Sequence, residues 1–99
     1  MAAPRITDRH LQRRLDQINE ALGYPKEPYQ QGRRADGSAI INPYNLHLEH
    51  AYGATGVCQM LPTGGETTVI PLDTKRTVHV ALSAMLWAVR EAKEGPQFK

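Results

Sequence analysis

Leu11, Leu15, Ile18 and Leu22 follow one another at intervals of four, three and four residues. That spacing lines large apolar side chains along one stripe of an α-helix, and any fold of this chain must cover that stripe. The flanking residues set its ends. Thr7 suits the N-cap, because its hydroxyl can accept from unpaired first-turn N–H groups. Ile6 and Leu11 suit a hydrophobic staple, and Asp8 complements the positive end of the helix dipole. Gly23 stands where a left-handed residue closes a helix. The pattern predicts a helix over residues 8–22.

Residues 24–43 read differently. Pro25, Pro28 and Pro43 remove backbone donors and forbid a continuous helix. This irregular basic segment contains Asp36-Gly37, a two-residue turn signal that would join short strands near 29–34 and 39–42. A mobile loop is the competing reading. Residues 44–52 fit a strand, or a helix capped by Asn42 and stopped by Gly53; the strand is preferred. Val57–Leu61 and Thr67–Ile70 are β-type runs separated from their neighbours by turn residues. With Ala54-Thr55-Gly56 as one hairpin loop and Gly64-Gly65 as the next, Tyr52 faces Cys58, His50 faces Met60, and Met60 faces Val69. One sheet face then carries Leu46, Leu48, His50, Tyr52, Cys58, Met60 and Val69. The other carries His47, Glu49, Val57, Gln59, Leu61, Thr68 and Ile70. A slip of one residue would exchange the two faces.

A last helix is predicted from about 73 to 93, closed by Gly95-Pro96. Val78, Leu82, Met85 and Val89 form its main stripe; Val80, Ala84 and Trp87 form a second on another flank. So apolar a helix has more surface to bury than one sheet face normally covers. The predicted fold is α+β: an N-terminal helix, a three-stranded antiparallel meander and a C-terminal helix, with both helices on one sheet face. The predicted core is Leu11, Leu15, Ile18, Leu22, Leu46, Leu48, Met60, Val69, Val78, Leu82, Met85 and Val89. The whole of 1–99 is one domain, with a flexible N-terminus over 1–6, because 99 residues cannot support two cores.

Composition excludes several classes. Hydrophobic residues make up 40% and charged residues 22%, a globular balance. No apolar run is long enough to span a membrane, and no secretory signal is visible, so a cytoplasmic location is expected. A single cysteine, Cys58, rules out an internal disulfide and fits a reducing compartment. The net charge of +2 is too small to imply a polyanionic partner by itself.

Each candidate chemistry has a plainer explanation beside it. His47, His50 and Cys58 lack the tight paired spacing of a structural metal site, so no metal and no cofactor is expected. His50 with Cys58 could act as base and nucleophile. However, a thiol among Met60 and Leu48 behaves as a small core group, so no catalytic residue and no small-molecule substrate is assigned. The glycines of Gly53-Ala54-Thr55-Gly56 and Gly64-Gly65 lack the Lys-Ser/Thr of a phosphate loop and read as turns. Arg33 and Arg34, near Tyr24 and Tyr29, could contact nucleic acid, with Lys75 and Arg76 at a helix start as a second option. Val57, Leu61 and Ile70, with Val80 and Trp87, make an apolar surface suited to a protein partner or a second copy of the chain.

Taken in order, Tyr44-Asn45-Leu46-His47-Leu48, Ala51-Tyr52-Gly53, Gly64-Gly65 and Thr74-Lys75-Arg76 resemble small phage and prophage accessory proteins. In these, a Tyr-Gly strand turn precedes a Gly-Gly hairpin and a Lys-Arg helix start. The resemblance covers about residues 44–90. It implies a mobile-element origin and a small cytosolic partner-binding role, and it transfers no catalytic residue. The expected function is therefore a non-enzymatic accessory protein that binds a protein or itself. The alternative is a nucleic-acid module using Arg33, Arg34, Lys75 and Arg76.

Overall fold

Helix α1 spans Asp8–Leu22, and its ends are built as the sequence implies. At the start, the Thr7 N–H donates to Nδ1 of His10 at 3.0 Å. At the end, Gly23 is left-handed (φ 75°), its N–H donates to the Glu20 carbonyl, and the Tyr24 N–H donates to the Asn19 carbonyl. Those two bonds form a Schellman closure. A computed structural model describes residues 5–94, so part of the expected flexible N-terminus and the Gly95-Pro96 stop lie outside the described residues.

The 24–43 segment holds a two-stranded ribbon, β1 (Tyr29–Arg33) and β2 (Ala39–Ile41), turned at Asp36-Gly37. Every residue of β1 is exposed. Two buried or half-buried asparagines tie the ribbon's base to the body. Asn42 Nδ2 donates to the Glu27 carbonyl at 3.0 Å, and Asn45 Nδ2 donates to the Pro25 carbonyl at 2.8 Å.

Strands β3 (Leu46–Ala51), β4 (Ala54–Met60) and β5 (Glu66–Asp73) form the antiparallel meander, and α2 (Lys75–Glu94) follows. Residues 44–52 are thus a strand, but the hairpin after them is not the one expected. The turn is Tyr52-Gly53, both at positive φ (54° and 75°), and Ala51 pairs with Ala54. The next loop takes residues 61–65, with the Leu61 N–H donating to the Gly65 carbonyl and Met60 opposite Glu66. Moving the first turn shifts the β3–β4 pairing by an odd number of residues, so the faces of β4 exchange relative to β3. Leu48 pairs with Val57, Val57 with Ile70, and His47 with Cys58.

Several expected core and surface positions change as a result. Val57 is fully buried, and Ile70 packs against the core; neither belongs to a partner surface on the outer face. Val69 sits at a break in the β4–β5 register and is exposed instead of buried. Leu22, at the last position of α1, is also exposed. Cys58 and Met60 are buried but lie apart from the main cluster. That cluster is Leu11, Leu15, Ile18, Leu46, Val57, Val78, Leu82 and Leu86, with Ile6, Leu48, Ile70 and Met85 packed against it. Val89 is half-buried.

Both helices pack on one face of the meander. They run side by side in the same direction: Lys75 Nζ lies 3.2 Å from Asp8 at their starts, and Lys93 Nζ donates to the Ala21 carbonyl at 2.7 Å near their ends. Lys93 thereby satisfies a last-turn carbonyl of α1 and complements its negative end. Asn19, fully buried on α1, reaches the sheet. Its Nδ2 donates to the Leu46 carbonyl and its Oδ1 accepts from the Leu46 N–H, both at 3.0 Å.

Candidate functional site

Helix α2 is three-sided. Val78, Leu82 and Leu86 point into the core. The flank that carries Val80, Ala84 and Trp87 does not: Val80 is 64% exposed, Trp87 is 67% exposed, and Ala84 is exposed between them. A shallow depression of about 260 Å³ beside Trp87 is walled by Arg14, Leu86, Arg90 and Glu91. Of the five residues expected to form one partner surface, Val80 and Trp87 share this flank. Val57 and Ile70 are taken into the core, and Leu61 is half-buried in the β4–β5 loop.

The four arginine and lysine positions of the nucleic-acid alternative fall in two places. Arg33 and Arg34 stand at the ribbon turn, where Arg33 Nη1 donates to the Gly37 carbonyl at 3.1 Å. Lys75 and Arg76 open α2, and Lys75 pairs with Asp8. Asp8 also accepts from His50 Nε2 at 3.2 Å. The hydrogen bond from His50, followed by that from Lys75, holds the Asp8 carboxyl below the usual carboxylate range.

His79 lies between the helices. Burial comes first, then the charges of Arg14 and His10 on α1 and Arg76 on α2; together they hold its imidazole below its ordinary pKa. The folded chain thus prefers the neutral ring. As pH falls below about 6.5 the unfolded chain takes up a proton first, so stability present above that pH is lost below it. The thermal midpoint is expected to fall between about pH 7 and pH 5.5, and His79→Gln should flatten that fall.

On the sheet's outer face the exchanged register sets Cys58 beside His47 rather than His50. Cys58 Sγ donates to Glu49 Oε2 at 3.2 Å, while His47 Nε2 is engaged with Glu66 Oε2 at 2.6 Å. Burial, reinforced by the Glu49 carboxylate, pushes the thiol up to about 11. A thiol so held stays protonated and is a poor nucleophile, and His47 is committed to Glu66 rather than to the sulfur. At pH 8 iodoacetamide should alkylate native Cys58 roughly 100-fold more slowly than the urea-unfolded chain, in proportion to thiolate content. Among the described residues no group of three or more His, Cys, Asp or Glu side chains could hold a metal ion. No helix among them is long and apolar enough to cross a membrane. Comparison with protein-family models, curated proteins and solved structures gives no match to this chain.

Proposed function

We propose that this chain is a non-enzymatic binding protein whose docking element is the outward flank of α2, and that its first partner is a second copy of itself. The observation that carries this reading is the exposure of Val80 and Trp87 on one helix flank. An aromatic and a β-branched residue left in water on a long ordered helix cost free energy until something covers them. Small Ala84 at the centre, with Val80 and Trp87 at the ends, suits two antiparallel copies of α2 packed about a two-fold axis. Each Trp87 then meets the Val80 end of the other copy, as a self-complementary interface requires.

Light scattering tests the proposal. The mass should approach twice 11.0 kDa at high concentration and halve on dilution. Trp87→Asp and Val80→Asp should each hold the chain at the single-copy mass and unfold at the midpoint of the native chain diluted to a single copy, because neither side chain is in the core. A single-copy mass at every concentration, or dimers that persist in both variants, would reject it.

One observation favours a nucleic-acid role for the arm: strand β1 of the ribbon is exposed along its whole length, with Arg33 and Arg34 at the turn. A two-stranded ribbon fits the major groove of duplex DNA. That reading predicts affinity for random duplex that falls steeply with salt and weakens in the Arg33→Ala, Arg34→Ala double variant.

A further inference from the structure

The two edges of the meander are treated differently. β5 is guarded: its pairing with β4 breaks register twice, Pro71 offers no N–H, and Glu66 and Asp73 charge its ends. Bulges, proline and charge are how proteins stop an edge from recruiting another strand. β3 has none of the first two devices; it pairs with β4 without a break from Leu46 to Ala51. Its outward groups can be assigned from hydrogen bonds. Asn45 turns its carbonyl to Met60 of β4, whereas Leu46 gives both its N–H and its C=O to Asn19, away from β4. Backbone direction alternates along an antiparallel strand, so the N–H and C=O of Leu48 and His50 also point outward. Among the described residues these four groups have no hydrogen-bond partner. They border an open groove of about 630 Å³ that is also lined by Asp8, Arg9 and Gln12 of α1 and by Pro28.

We propose that this groove takes an extended peptide segment carrying an acidic side chain, added as a further strand beside β3 at Leu48 and His50. The amide of Asn19 already meets Leu46 as a neighbouring strand residue would. An added strand therefore begins at Leu48, and its register is set. Charge selects the peptide. Asp8 is engaged by both His50 and Lys75, while Arg9 makes no ion pair among the described residues, so the groove wall keeps an uncompensated positive charge. A carboxylate on the incoming strand neutralises Arg9. A second copy of β3 is the wrong occupant, because the side chains it would turn to the face of Arg9, those of Leu46, Leu48 and His50, include no carboxylate.

Three short, terminally blocked peptides of alternating Thr and Val test this: one with a central Glu, one with Lys in its place, and the Glu peptide N-methylated at alternate amides. The readouts are binding by titration and residue-by-residue amide exchange. The Glu peptide should bind about tenfold more tightly than the Lys peptide, and Arg9→Glu should reverse that order. The N-methylated peptide should not bind. On binding, the Leu48 and His50 amides should become protected, while those of His47 and Glu49, already paired with β4, stay unchanged. Equal binding of the Glu and Lys peptides, protection elsewhere, or binding that survives N-methylation would overturn the proposal. So would Leu48 and His50 amides that are already protected in a peptide-free dimer. Because the readout is at β3, its failure is separate from failure of the α2 dimer.

Discussion

Asn19→Leu is expected to lower the thermal midpoint by roughly 10–20 °C, although the number and branching of the side-chain heavy atoms are unchanged. The asparagine amide fills two needs at once, accepting from the N–H and donating to the C=O of buried Leu46 at the open edge of the sheet. Leucine leaves both backbone groups buried without partners, at about 1–3 kcal/mol each. In a domain whose whole stability is about 5–15 kcal/mol, that is a large fraction. Asn19→Asp separates the two bonds: its carboxylate still accepts from the N–H but repels the carbonyl. Thermal unfolding of the two variants should therefore rank Leu and Asp both far below the native chain. A shift under a few degrees for both would mean that the helix and β3 are not joined through this amide.

Gly56→Ala is the second large effect. A methyl at this position would come 2.7 Å from the Ile70 carbonyl oxygen and 3.2 Å from the Leu72 nitrogen, both backbone atoms of β5. Neither can turn aside as a side-chain tip can, so strand β5 must move, at about 1–3 kcal/mol or somewhat above. Gly65→Ala is the matched control, because its added methyl meets only Leu61 Cδ1 at 3.9 Å. Denaturant unfolding should show a clear loss of midpoint for Gly56→Ala and almost none for Gly65→Ala. Equal midpoints would contradict the close approach of β4 and β5.

Gly56 also explains where the sequence misled. Gly53 and Gly56 lie three residues apart, and either could terminate a hairpin. Local preference cannot distinguish a glycine that supplies positive φ from one that merely lets a neighbouring backbone come close. The turn falls at Gly53, with Tyr52 accepting a left-handed conformation, and that choice decides which side of β4 faces the helices. Val57 and Ile70 pass from a supposed outer surface into the core, and Cys58 exchanges His50 for His47. Readings that depend on helical period are immune to that error. The ends of α1, the burial of Val78 and Leu82, and the separate flank of Val80 and Trp87 are legible because 3.6-residue spacing needs no partner strand. Asn19 left a faint signal: it stands four residues after Leu15 and three before Leu22, inside the apolar sector, where a polar side chain needs an internal partner. The partner itself, the backbone of Leu46, is 27 positions away and not visible in local pattern.

Trp87 is the only tryptophan in the chain, so its fluorescence reports on the α2 flank and on nothing else. Emission should be blue-shifted at high protein concentration and move toward that of water-exposed indole on dilution, with the same midpoint as the loss of mass. A fully hydrated spectrum that does not change with concentration would contradict it.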